Sequence, residues 1–234
     1  RAYRRIFMTA TLSDDSVITT HFGADPDEVG TPIVPASSQS MGERMILMPQ
    51  ELNSDLTADK IREILSELAM IENVVVIVPS EGASEDWSAV ADQVLIGDSV
   101  PDGVDKLRNA HVGLTVLVNR YDGIDLPGDA CRVLAIAGLP EVSSYSDLVD
   151  SEVLSGSSVN LRRHVERIEQ GMGRGVRSND DYCAVLLLGA KLISRLRSPE
   201  GQAMLTPATK AQLDLSRKIA KKLTNPDKDE IKSV

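Results

Sequence analysis

Four short apolar runs constrain this chain more than anything else in it. Asn73 to Val78, His111 to Val118, Arg132 to Ala137 and Cys183 to Leu188 are built from Val, Ile, Leu and Ala with little polar alternation. A strand covered on both faces reads this way, whereas a half-exposed strand alternates. Helical patterns lie between the runs. Thr57 caps one whose Ile61, Ile64, Leu65 and Leu68 share a face, and others span Pro101 to Asn109 and Asn160 to Gln170. Buried strands alternating with helices predict an α/β fold: a doubly wound, mostly parallel sheet with helices on both faces.

Weaker signals complete the outline. Arg4 to Thr11, Arg44 to Met48 and Val94 to Ile96 read as strands. Ser13-Asp14-Asp15 caps a short helix through His21, stopped by Gly23, and Asp25 to Ser40 reads as an irregular loop. Ser84 to Ala91 and a stretch near Ser144 to Leu154 read as helices. From Pro199 to Leu223 the pattern is helical and ends in a Lys-rich tail, so we expect one domain over residues 1–198 and a helical extension over 199–234.

Composition narrows the function classes. A hydrophobic content of 42% supports a core, but aromatics are only 3%, so the core must be built from Val, Ile, Leu, Ala and Met. The apolar runs are strand-sized and far too short for a bilayer, and the opening residues do not read as a signal-peptide pattern. Cys131 and Cys183 read as buried free thiols in strands, which fits a reducing cytoplasm, and no Cys/His cluster has metal-ligand spacing. The net charge of −10 argues against a broadly basic nucleic-acid surface, yet residues 160–177 hold five arginines (162, 163, 167, 174, 177) against Glu166 and Glu169.

That basic segment and one acidic turn carry the chemistry. Gln170, Arg174 and Arg177 fall at i, i+4 and i+7, which in a helix aims three polar groups one way, with Leu161, Val165, Ile168 and Met172 buried behind. Gly171, Gly173 and Gly175 permit close backbone approach. A guanidinium fork across a cleft suits the charge of a transferring phosphoryl group; the plain alternative is a solvated basic helix end. Gly123-x-Asp125-x-x-Gly128 follows a strand and so is expected at the carboxyl edge of the sheet, where such folds bind ligands. Its plain alternative is a tight turn. Trp87 reads as helix packing, and His21, His111 and His164 lack sequence partners.

The order of the short strings is more specific than any one of them. Thr9-Ala10-Thr11-Leu12, Val76-Ile77-Val78-Pro79-Ser80, Asn119-Arg120-Tyr121-Asp122-Gly123-Ile124-Asp125-Leu126-Pro127-Gly128 and Gln170-x-x-Gly173-Arg174-x-x-Arg177 follow one another at sensible spacing. The set resembles the second RecA-like domain of superfamily-two helicases, nearest the DEAD/DEAH-related group of XPD and DinG type, over about residues 6 to 190. The resemblance implies a RecA-like fold and an ATP-dependent helicase. It makes Arg177 the finger on the γ-phosphate with Arg174 beside it, and puts Gln170, Gly173, Gly123 and Asp125 against ATP. Ser80 and Arg120 would hold a nucleic-acid backbone, and Thr9 and Thr11 would couple the two sites. The implied cofactor is ATP with Mg²⁺, bound mainly by an N-terminal RecA-like domain; the implied partners are that domain and DNA or RNA, with no membrane.

The pattern departs from that family in one consistent way. No G-x-x-x-x-G-K-[ST] loop and no D-E-x-H box occur, and the iron–sulfur cysteines of the XPD-type first domain are missing. All belong to the first domain, so a chain starting just before Thr9 of a longer protein accounts for the three absences. The isolated chain is then expected to be inactive. Two other readings stand beside the motor: a non-catalytic RecA-like scaffold or regulatory module, and a flavodoxin-like nucleotide enzyme without a phosphate loop.

Overall fold

The computed structural model describes residues 6, 16–29, 43–53, 55–140, 157–176 and 181–220. The chain divides into two compact units, residues 1–39 and 40–234. In the first, α1 (Ser16–Phe22) ends before Gly23, and α2 (Pro26–Val29) adds one turn inside the stretch expected to be irregular. The Asp25 carboxylate accepts from the Asp27 amide at 3.0 Å, an Asx turn that starts this helix. The expected helix at Ser144–Leu154 lies outside the described residues, and so does the expected strand at Arg4–Thr11 apart from Ile6.

The second unit is built on six strands, β1 (Glu43–Leu47), β2 (Val74–Val78), β3 (Gln93–Leu95), β4 (Leu114–Val118), β5 (Val133–Ala137) and β6 (Tyr182–Leu188). They pair in the order β1-β6-β5-β2-β4-β3, and every pairing is parallel. β2 and β4 are buried at all five positions, as their continuous apolar sequences require. β4 starts at Leu114, three residues later than its sequence suggests. The amides of Val112 and Gly113 are taken by the Asn73 side chain, so the chain cannot enter the ladder earlier.

Helices cover both faces. On one, α4 (Ala58–Leu68), capped by Thr57, presses Ile61, Ile64 and Leu65 onto Val74, Val76, Leu114 and Val116. α3 (Pro49–Leu52) follows β1, and α5 (Glu81–Glu85) follows β2. α5 is a single turn rather than the expected helix to Ala91. The hydroxyls of Ser84 and Ser88 donate back to the carbonyls of Glu81 and Glu85 and end regular winding. Trp87, expected as packing, is 5% exposed in the core of this face.

The opposite face carries α6 (Val100–Asn109), α7 (Ser158–Met172) and α8 (Ala190–Arg197), whose apolar stripes meet Val75, Ile77, Leu117, Leu134 and Ile136. Beyond α8 the expected long helix is broken into α9 (Pro199–Met204) and α10 (Pro207–Ala220). Leu205 is extended, and Thr206, disfavoured from helix by the following proline, caps the Thr209 amide instead. α10 packs along edge strand β1. Ser216 Oγ accepts from the Ile46 amide at 3.0 Å, and Gln212 Oε1 accepts from Arg44 Nε at 3.0 Å. Burial pushes the Arg44 guanidinium down from its ordinary value, partly offset by the charge of Glu169. The outer edge of β1 is thereby closed.

Candidate nucleotide half-site

Between β4 and β5 the chain returns across the sheet without an α-helix. Residues 119–132 form a strap along the face that carries α6 and α7, ending in one 3₁₀ turn at Gly128–Ala130. Tyr121, Ile124 and Leu126 are buried in the core shared with those helices, and Gly123 and Asp122 are exposed between them. Gly123 takes φ +71° with open space around it, so the turn needs a left-handed residue there. Asn119, at φ 53°, turns the chain out of β4.

Backbone polar groups in such a strap need partners from elsewhere. Arg174 supplies several. Its Nε donates to the Tyr121 carbonyl at 2.9 Å and its Nη1 to the Ile124 carbonyl at 3.0 Å, while its own carbonyl accepts from the Leu126 amide at 3.3 Å. Thus the acidic turn and the arginine segment, 50 residues apart in sequence, form one clasped unit. Arg108, in the last turn of α6, reaches the same strap: Nε and Nη2 both donate to the Asp125 carbonyl, at 3.1 and 2.8 Å.

The glycines beside Arg174 divide by role. A Cβ on Gly171 would meet Tyr121 at 3.1 Å and Ile136 at 3.0 Å, and one on Gly175 would lie 2.7 Å from Cys183 Sγ. Both positions therefore require close approach. Gly173 faces open space. Cys131 and Cys183 are free and buried as expected, and the neighbouring Cys183 thiol, with burial adding to it, holds the Cys131 thiol well above its usual range.

Two expectations of geometry need correction. Gln170 and Arg174 do not share one continuous helical face, because α7 ends at Met172 and Gly173–Gly175 wind as a 3₁₀ turn, with Val176 extended. Nor does the Gly123–Asp125 turn stay at the carboxyl edge. Gly175 sits against Cys183 at the start of β6 and near the Cys131 carbonyl just before β5, so the clasp lies toward the amino ends of the strands. The strap leaves the edge at once because its buried Tyr121, Ile124 and Leu126 must reach the core below.

The carboxyl edge holds other candidates. Ser80 follows β2 at the start of α5 and makes no capping bond with its side chain. Arg120 Nη2 donates to the Gly97 carbonyl at 3.3 Å, just beyond β3. Gln170 lies half-buried in the last turn of α7. Arg177, Thr9 and Thr11 lie outside the described residues. Sequence reasoning missed Arg108 and Tyr121; Tyr121 stood inside a quoted string, whereas Arg108 looked like any basic residue at a helix end. Among the described residues no group of His, Cys, Asp and Glu is arranged to hold a metal ion, and no helix is long and apolar enough to cross a membrane.

Comparison with known proteins bears on this geometry. Residues 105–204 match the family model described as Helicase C-terminal domain, a span that includes the strap, α7 and both candidate strings. No curated protein matches the chain. A solved XPD helicase structure is 18% identical, with a TM-score of 0.53 over 84% of this chain and 40% of that one. Xpd4 of S. tokodaii is 18% identical, with a TM-score of 0.48 over 75% and 39%. The C-terminal domain of the DEAD-box protein Dbp5 is 14% identical, with a TM-score of 0.39 over 79% and 99%. The chain thus spans about two fifths of the XPD structures it resembles. Residues 105–204 are thus similar to a helicase C-terminal domain, and the all-parallel sheet around them shares the RecA-like fold of the XPD helicase structure.

Proposed function

We propose that this chain is the second motor domain of an ATP-dependent nucleic-acid helicase or translocase, and that it completes an ATP site whose floor belongs to an N-terminal RecA-like domain. One observation carries the reading: Arg174 binds the Gly123–Asp125 strap through side chain and backbone, so two strings read separately from sequence are one structural unit. Gly123 leaves open space beside the clasp, and the sequence supplies at position 177 a guanidinium of the kind that pairs with phosphate. Bound ATP with Mg²⁺ supplies the phosphoryl group, and metal ligation falls to the other domain.

In this reading Arg177 reaches the γ-phosphate, and Arg174 links that arginine to the strap. Gln170, Gly173, Gly123 and Asp125 line the nucleotide side. Ser80 and Arg120, at the carboxyl edge, meet the backbone of DNA or RNA. Thr9 and Thr11 relay between the two. The test is nucleic-acid-stimulated ATPase of the full-length protein and its Arg177→Ala variant. A missing finger should lower turnover by about 10³; wild-type turnover in the variant removes the finger assignment, and absence of stimulated ATPase from the full-length protein itself removes the motor reading and leaves the scaffold.

A further inference from the structure

The geometry points to Arg108 as a positioning residue of this half-site, acting through the Asp125 backbone. The inference rests on the reading of Asp125 as a nucleotide-side residue. Both Nε and Nη2 of Arg108 converge on one carbonyl oxygen, that of Asp125, at 3.1 and 2.8 Å. Its remaining nitrogen, Nη1, pairs with Asp105 Oδ1 at 3.2 Å, one helical turn earlier, which fixes the plane of the fork. A fork held at both ends orients its acceptor far better than a single flexible donor.

α6 gives that fork a rigid base. Val100, Val104 and Leu107 bury it in the sheet core, so it moves with the sheet and not with the strap. The strap meets the α6 region at a second point, where Arg120 donates to the Gly97 carbonyl ahead of the helix. A residue on the proposed nucleic-acid side and a residue on the proposed nucleotide side are thus pinned to opposite ends of one short rod. Between the pins the strap has no helix or strand of its own, and side-chain donors decide its path.

The bonds act on geometry more than on folding. Arg108 is 40% exposed, and its ion pair with Asp105 is a surface pair of small net worth. Removing the fork takes both Arg108 donors from the Asp125 carbonyl and should loosen the strap there, while the core beneath stays packed. Misplacement of this kind costs turnover more than binding.

The experiment measures kcat and KM for ATP with saturating single-stranded nucleic acid, and the melting midpoint, in the full-length protein and its Arg108→Ala, Arg108→Lys and Arg177→Ala variants. We expect Arg108→Ala to lower kcat about tenfold with KM within about twofold, and Arg108→Lys, with one point donor, to recover part of the loss. The melting midpoint should stay within about 2 °C of wild type. Wild-type kcat in Arg108→Ala beside an inactive Arg177→Ala overturns the role of Arg108 and leaves the motor reading intact. A kcat loss that tracks a fall in melting midpoint also overturns it, since Arg108 would then be structural. Wild-type kcat in Arg177→Ala removes the finger assignment, and absence of nucleic-acid-stimulated ATPase from the wild-type protein overturns the motor reading and this inference with it.

Discussion

Asn73 donates to the carbonyl of Asp129 at 2.9 Å and so ties the lower end of the strap to the start of β2. The same amide nitrogen reaches the carbonyls of Leu107 at 3.4 Å and Ala110 at 3.1 Å, and its oxygen accepts from the amides of Val112 and Gly113 at 2.7 and 3.2 Å. One side chain, 4% exposed, therefore joins the end of α6, the entry to β4 and the return before β5. Buried backbone groups stripped of partners cost far more than the same bonds contribute net.

We expect Asn73→Ala to destabilise the domain by about 3 kcal/mol, since two amides lose their acceptor and the carbonyls around Nδ2 lose its two donors together. Asn73→Asp keeps the acceptor but turns a carboxylate toward three carbonyls, and should do no better. Urea unfolding midpoints of the three proteins check this, and an Asn73→Ala loss below about 1 kcal/mol would show that water replaces the hub.

Much of this architecture was legible in the sequence because its signals are local. Val74–Val78 and Leu114–Val118 are continuous apolar runs, and only a strand covered on both faces leaves that trace. Trp87 was legible as packing for the same reason. The strap was not. Asn119 leaves the sheet at the carboxyl edge, where ligand sites of doubly wound folds are expected, but its buried residues draw the chain back over the face. Nothing near Asp125 in sequence announces Arg108 or Arg174; only tertiary contact locates it. The break after Met172 was hidden in another way. Arginines at helical spacing suggested one face, while the glycines among them serve approach to Tyr121 and Cys183 and end the helix.

Gly175 offers a direct test of that close approach. A methyl group there would lie 2.7 Å from Cys183 Sγ and 3.2 Å from its Cβ, and Cys183 is 2% exposed. Gly175→Ala should cost about 2 kcal/mol by overpacking. Cys183→Ala removes the nearer atom, so the double variant should be less destabilised than the sum of the singles by about 1 kcal/mol. A double-mutant cycle read by denaturant unfolding measures the difference. Strict additivity would mean that the strain is relieved through the Arg174 backbone, and the 3₁₀ turn rather than the thiol would be the part that yields.

His164 gives the fold a dependence on mild acid. It is half-buried on α7, its Nδ1 is enclosed with no partner among the described residues, and burial lowers its pKa from 6.5, with the charges of Arg195 on α8 and Arg167 on its own helix acting the same way. The folded value therefore lies below the unfolded one. As pH falls through 6.5 the unfolded chain takes up the proton first, so stability is complete above that value and declines beneath it. The melting midpoint should drop between pH 7.5 and 5.5, a window above the ordinary range of carboxylates. His164→Gln should flatten that slope. Scanning calorimetry of both proteins at matched ionic strength checks it, and an unchanged slope in the variant would assign the acid sensitivity to another group.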